Sequence, residues 1–496
     1  DNGRVLSLAE DHFLPMLRLS ATIRAGSIYE PADKVGLASM TGTVLRTGGA
    51  GDRTGDAIDA LAEARGLVVE TSIGQSTGSA YLSCLKEDQA LGLELLADIL
   101  MRPRFAEDKI DLAKEEQKTA ISRRNDEPMP IAFREGMKVL FGPDHPLARH
   151  PEYDTIAAVD RDDMVRFHET YFHPDRIFLV VIGDFERDAM VAAIEDAFAG
   201  WEPASQPLPA DPEIQALPRT VNTIDKEDLT QSTILLGHKG IRNDDPNYAG
   251  VIVGNEILGG GFSSRLFVEV RSNRGWAYSV GSAPGTGWRF PGMFMAFTMT
   301  KHSTVQQSID VILGEIERMV TEPVSDEELQ RAKDAILNSE VFNYDTKREV
   351  LDRLVLFEMY GYEPDFLDRY QEEVRNLTPA KVLAACQAVW HPERMSILAL
   401  GQPAEWDGDL TKFGPVNEID ITIPEPALDL EIPAATDESL AKGQELMASL
   451  RQKSGGEKLA GLKSYHEVSV LTAETPMGPM DISLDRTVVY PDRMHM

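Results

Sequence analysis

The chain has 496 residues, 42% hydrophobic and 26% charged, which is material for about three ordinary domains with sizeable cores. Its formal net charge of −32 repels phosphate backbones and argues against nucleic acid and anionic membrane surfaces as partners. No run of ~18 apolar residues occurs, so no membrane span is expected, and two cysteines, Cys84 and Cys386, are too few for a disulfide framework or a cysteine zinc site.

Taken in chain order, Leu17 to Arg24 reads as a strand, and Gly36 to Arg46 and Ala57 to Ala64 read as helices. Val68 to Gln75 and Ser79 to Leu85 are strands, and Asp88 to Met101 and Glu107 to Arg124 are helices. That order predicts a mixed or antiparallel sheet covered by helices on one side, an α+β sandwich. Tyr171-Phe172-His173-Pro174-Asp175-Arg176, followed by Ile177 to Gly183, recurs as Val389-Trp390-His391-Pro392-Glu393-Arg394, followed by Met395 to Gly401. The offset is 389 − 171 = 218 residues, and both copies read as a helix end, a His-Pro stop, a buried strand and a Gly turn. Phe105 to Lys114 resembles Val324 to Lys333 at nearly the same offset. Two related halves are therefore expected, at 1–204 and 219–415.

Prolines at 203, 207, 209, 212 and 218 mark a stiff linker between the halves, and Ile423 to Pro433 marks a second one. Within 416–496, Asp437 to Lys453 reads as a helix. The stretch from Ser464 alternates as strands, like the opening of a β-rich module. The first residue is Asp1 rather than Met, as expected of a processed or trimmed form.

Arg24-Ala25-Gly26-Ser27, Gly36-Leu37-Ala38, Arg102-Pro103-Arg104-Phe105 and the Gly-rich segment at 258–282 carry a family resemblance. In this order, from about residue 2 to about 405, they resemble the insulinase-type (pitrilysin) zinc metallopeptidases, which include the mitochondrial processing peptidase. Active members of that group carry His-x-x-Glu-His on the helix after Gly-Leu-Ala. Two His four apart share a helix face and chelate Zn²⁺, while the Glu takes a proton from the zinc-bound water. Here the stretch reads Gly36-Leu37-Ala38-Ser39-Met40-Thr41-Gly42-Thr43, so Ser39 and Thr43 replace the two His and Gly42 replaces the Glu. The resemblance puts a third ligand, a Glu, on a later helix, and Lys118 to Ile121 in that region offers none. Neutral hydroxyls are poor zinc ligands, so no metal is expected on this chain.

The second half keeps residues that the resemblance makes functional. The family holds an Arg and a Tyr seven positions apart, facing the zinc across a closed chamber, and Arg271 and Tyr278 have that spacing. Arg271 offers a forked donor to a substrate carbonyl, and the Tyr278 hydroxyl offers a donor to the oxyanion. The plain alternative is a surface charge at a helix end and a half-buried strand residue. Gly259, Gly260 and Gly261, with Phe262 and Ser263, form either a loop that touches an extended peptide or a simple turn. The resemblance implies two homologous α/β sandwich domains that form half of a clamshell, with a C-terminal extension. It also implies a homologous zinc-carrying partner subunit and a peptide substrate. The rival expectations are a structural core-type subunit and a peptide-binding module. The β-rich tail resembles the start of periplasmic lipoprotein-carrier-like modules, so a bacterial periplasm is expected, with the cytoplasm as alternative.

Overall fold

The structure is a computed structural model that describes residues 3, 5–340, 344–424, 436–453, 463–475, 478–489 and 493–495. The chain divides into two compact units, Asp1–Ala427 and Leu428–Met496.

The first unit opens with a sheet of five strands, β1 (Val5–Glu10), β2 (Met16–Ile23), β3 (Val68–Ile73), β4 (Gly78–Leu85) and β5 (Ile177–Gly183), in the order β1-β5-β2-β4-β3. β1 runs parallel to β5, and every other pair is antiparallel. Alternation along β2 buries Leu17, Leu19, Ala21 and Ile23 in one core. Eight helices accompany this sheet: α1 (Leu37–Thr47), α2 (Gly55–Arg65), α3 (Gln89–Met101), α4 (Glu107–Ser122), α5 (Pro128–Phe141), α6 (Tyr153–Ala157), α7 (Arg161–Tyr171) and α8 (Arg187–Ala197).

The second sheet uses β6 (Val221–Asp225), β7 (Ser232–Lys239), β9 (Ala277–Pro284), β11 (Met293–Thr300), β12 (Ser396–Gly401) and β13 (Val416–Glu418), while β8 (Ile241–Arg242) and β10 (Thr286–Gly287) form a short ribbon. The order is β13-β6-β12-β7-β11-β9. Set β13 aside, and the order and the sense of every pair repeat those of the first sheet. The His-Pro repeat in the sequence therefore marks β5 and β12, equivalent strands inside two equivalent sheets. Helices α9 (Tyr248–Asn255), α10 (Val305–Thr321), α11 (Asp326–Ser339), α12 (Lys347–Tyr360), α13 (Phe366–Arg375) and α14 (Pro379–Val389) complete this half.

Each half covers the other's sheet. Ile131 and Leu140 on α5 pack against Leu235, Leu398 and Leu400 of the second sheet. Val355 and Met359 on α12 pack against Phe178 and Val180 of the first. Both faces of β5 and β12 are thereby buried, which is why each reads as an unbroken apolar run rather than an alternating one. The proline-rich stretch 202–218 carries neither helix nor strand. Arg289 pins it: its guanidinium pairs with Asp211 of the linker and donates to the Ser76 carbonyl at 3.0 Å and to the Tyr29 hydroxyl.

The edge strands are β1 and β3 in the first sheet and β13 and β9 in the second, and the functional candidates lie beside β3 and β9. In the second unit, α15 (Asp437–Lys453) precedes an antiparallel hairpin of β14 (Ser464–Thr475) and β15 (Gly478–Val489), and β16 (Arg493–His495) pairs with β15. Residues 425–433 of the second expected linker lie outside the described residues. Among the described residues, no helix is long and apolar enough to cross a membrane.

Candidate functional site

Helix α1 starts abruptly at Gly36, whose φ of +106° is open to glycine and strained for other residues. Its first N–H groups are satisfied from outside: the Glu30 carboxylate accepts from Gly36 at 3.2 Å and from Ala38. Glu30 is 5% exposed, and burial pushes its carboxyl up to about 7 against the pull of those two donors. A carboxyl raised in the folded state binds more protons there than in the unfolded chain. Stability should therefore fall as pH rises from about 4.5 toward 7. Glu30→Gln keeps an acceptor and removes the titration. Urea midpoints should show the native chain losing ground to Glu30→Gln across that window; a constant gap between them would exclude this role.

The three positions expected to stand where the metal motif would be are engaged within the protein. Ser39 Oγ accepts from Gln117 Nε2 on α4 at 3.3 Å. Thr43 Oγ1 donates to the Ser39 carbonyl one turn back at 3.3 Å. The Gly42 carbonyl accepts from Thr71 Oγ1 of β3 at 2.7 Å. A Cβ at Gly42 would lie 2.4 Å from the backbone nitrogen of Ile73 and 2.8 Å from the carbonyl carbon of Ser72. Helix α1 thus packs on β3 through a gap that admits no side chain. The residue of α4 that faces Ser39 is Gln117, one position before the stretch Lys118 to Ile121 indicated by the sequence. Two hydroxyls, an amide and a glycine do not fit Zn²⁺. Among the described residues, no three His, Cys, Asp or Glu side chains gather as a metal group would require.

Three histidines of the first half make contacts of their own. His168 is half-buried, its Nε2 lies 2.8 Å from the Leu100 carbonyl, and desolvation lowers its pKa to about 4. His173 Nε2 lies 2.8 Å from the Glu169 carbonyl. His145 stacks on Phe141, with ring centroids 5.3 Å apart.

Across the second sheet, α9 continues into a π-helical turn at Glu256–Gly260, and a second π-helical turn spans Phe267–Asn273. Both pack on the edge strand β9. Asn255 fixes the first: its Oδ1 accepts from Ser282 Oγ at 2.7 Å and its Nδ2 donates to the Ser282 carbonyl at 3.3 Å. A Cβ at Gly259 would stand 2.4 Å from Ser282 Oγ and 2.6 Å from Ser282 N, so this glycine is needed for the close approach to β9. Gly260 and Gly261 lie against the Glu256 carboxylate. Ser263 lines a small cavity with Glu256, Glu328 and Arg331. The segment between the turns is tied to α11 by Arg265, bidentate on Glu328 at 2.7 and 3.1 Å, and this pairing helps hold Glu328 down to about 2.

The π-helical geometry brings Arg271 and Tyr278 together. The Arg271 guanidinium carbon lies 4.7 Å from the Tyr278 ring centroid and 4.8 Å from that of Phe267. Phe262 of the Gly-rich loop sits edge-on to Phe267 at 5.1 Å. Two of these rings face outward: Phe262 is 82% and Tyr278 76% exposed. Among the described residues, no carboxylate pairs with Arg271 and no acceptor takes its side-chain N–H groups. The guanidinium is held by two π faces while its hydrogen-bonding fork stays unspent. Phe267 is the member that sequence reasoning missed; its signal was the spacing of four to Arg271, one helical turn.

Residues 7–142 match the family described as Insulinase (Peptidase family M16), and residues 158–336 match the one described as Peptidase M16 inactive domain. An uncharacterized zinc protease of Streptomyces coelicolor is 27% identical over 320 residues, 62% of this chain and 68% of its own length. Another, of Mycobacterium leprae, is 31% identical over 209 residues, 41% of this chain and 46% of its own. The crystal structure of a peptidase M16 inactive domain from Pseudomonas fluorescens superposes with a TM-score of 0.72 at 24% identity, over 81% of this chain and 96% of that one. The periplasmic protease PqqL from Escherichia coli superposes with a TM-score of 0.68 at 14% identity, over 81% of this chain but 44% of that one. At these identities the structural likeness speaks to the fold alone.

Proposed function

Since this chain belongs to the insulinase-type (M16) peptidase family, we propose that it is the metal-free subunit of a two-chain zinc peptidase that cleaves unfolded peptides. A homologous partner bearing His-x-x-Glu-His carries the zinc, which when bound supplies the hydroxide that attacks the peptide carbonyl. Arg271 orients the substrate carbonyl and Tyr278 donates to the developing oxyanion. The peptide lies extended, paired along a free sheet edge, with Phe262 and the Gly259–Gly261 loop against it.

The observation that carries this reading is the unspent fork of Arg271, aligned on the exposed ring of Tyr278. Length supports it as well. The chain covers 44% of the E. coli protease that shares its fold, which leaves room in that longer chain for a second such pair of domains. Location in a bacterial periplasm is part of the proposal, and cell fractionation tests it.

The purified chain alone should leave unfolded peptides intact, and cleavage should appear on mixing with a zinc-bearing homologue from the same cell. Full activity of the chain by itself would end this reading. The exposure of Phe262 and Tyr278 also suits capture of a peptide without cleavage. Measurable peptide affinity on the isolated chain, with no activity in any mixture, would favour that role instead.

A further inference from the structure

A second cavity, of about 200 Å³, opens between the loop before α9 and helix α13, and it shares no residue with the Arg271–Tyr278 cluster. Its wall is aromatic. Tyr248 lies 5.1 Å from Tyr370 and 5.8 Å from Phe366, and Phe366 lies 5.0 Å from Tyr362, edge-on. Its rim is acidic. Asp244 is neutralised by Arg242 at 2.9 Å, and Arg369 is taken up by Asp365 at 3.0 Å. Glu363 and Glu373, both exposed, have no cationic partner among the described residues, and the Asp245 carboxylate accepts from the backbone and side chain of Asn247.

Asn243 supplies an independent observation. It lines this cavity, is 4% exposed, and its buried Oδ1 accepts no hydrogen bond. A buried acceptor left without a donor is destabilising, so a ligand that donates to it is favoured over one that cannot. Cations already rest on rings of this aromatic cluster and its neighbour Trp288. The Arg242 guanidinium carbon stands 5.9 Å from the Tyr362 ring, and that of Arg353 stands 5.3 Å from Trp288, which packs edge-on against Tyr362.

We propose that this cavity binds a primary alkylammonium group, with its methylenes against the rings, its charge between Glu363 and Glu373, and one N–H donated to Asn243 Oδ1. The aromatic faces and carboxylates select a positive charge, and the orphan acceptor selects a cation that carries N–H donors over a quaternary one. Two sources share this chemistry: a lysine side chain of a peptide, and a free polyamine.

The test is calorimetric titration of the full chain with Nα-acetyl-lysine amide, its neutral isostere Nα-acetyl-norleucine amide, and spermidine. The lysine amide should bind at least tenfold more tightly than the norleucine amide. Glu363→Gln/Glu373→Gln, which alters only surface groups, should remove at least tenfold of that affinity. Spermidine binding more tightly than the lysine amide assigns the site to free polyamines, and the reverse assigns it to peptide side chains; either result sustains a cation site. Equal binding of the two amides, or an unchanged affinity in the double variant, overturns it. Neither result bears on the pairing of this chain with a zinc subunit.

Discussion

Gly42→Ala is expected to destabilise the first unit by about 1–3 kcal/mol, although the change removes a glycine from the middle of a helix. Helix propensity alone favours alanine by ~1 kcal/mol. The added carbon, however, meets the backbone of β3 at 2.4 Å, and a strand backbone cannot rotate away as a side-chain tip can. The overpacking therefore outweighs the propensity. Glutamate at this position carries the same Cβ and a longer side chain into the same gap. Ser39→His/Gly42→Glu/Thr43→His, which writes the family's metal motif back into α1, is thus expected to retain no stoichiometric zinc. It also lacks the third ligand, because α4 presents Gln117 to Ser39. Urea denaturation of Gly42→Ala and metal analysis of the triple variant check both statements. An unshifted midpoint, or one zinc per triple-variant chain, would show that α1 tolerates a side chain at 42.

The other large effect concerns the reconstituted peptidase. Tyr278→Phe keeps the ring that Arg271 rests on and removes only the hydroxyl. If that hydroxyl donates to the oxyanion, kcat should fall by ~10²–10³ with KM little changed. Arg271→Ala should weaken substrate binding as well, and Arg271→Lys should not rescue it, since an ammonium lacks the planar fork. Steady-state cleavage of a fluorogenic peptide by the mixed subunits gives both parameters. Undiminished kcat in Tyr278→Phe would reduce the tyrosine to a support for the guanidinium.

Much of this was legible in the sequence because it depends on local pattern. The 218-residue repeat located β5 and β12, and the replacement of both His and the Glu in α1 was readable from three letters. The spacing of Arg271 and Tyr278 pointed to a pair, but not to how they meet. The π-helical turns set that, and the helical period of a short apolar segment does not distinguish them from ordinary helix. The exchange of α5 and α12 between the halves was equally hidden, because an amphipathic helix declares an apolar face without declaring which sheet it covers. β1 went unread: five half-buried residues and an exposed Glu10 pair in parallel with a strand some 170 positions away, and only the tertiary fold brings them together. The tightness at Gly42 needs coordinates, since a glycine read in isolation suggests only a missing carboxylate.

Zinc measured on the isolated chain and on its complex with the zinc-bearing homologue, after both are dialysed against the same buffer, tests most directly the proposal that this chain contributes substrate-handling groups and no metal. The expected result is a negligible fraction of an equivalent on the chain alone and one equivalent per pair in the complex. A full equivalent on the isolated chain, lost when Ser39 and Thr43 are changed to alanine, would contradict it.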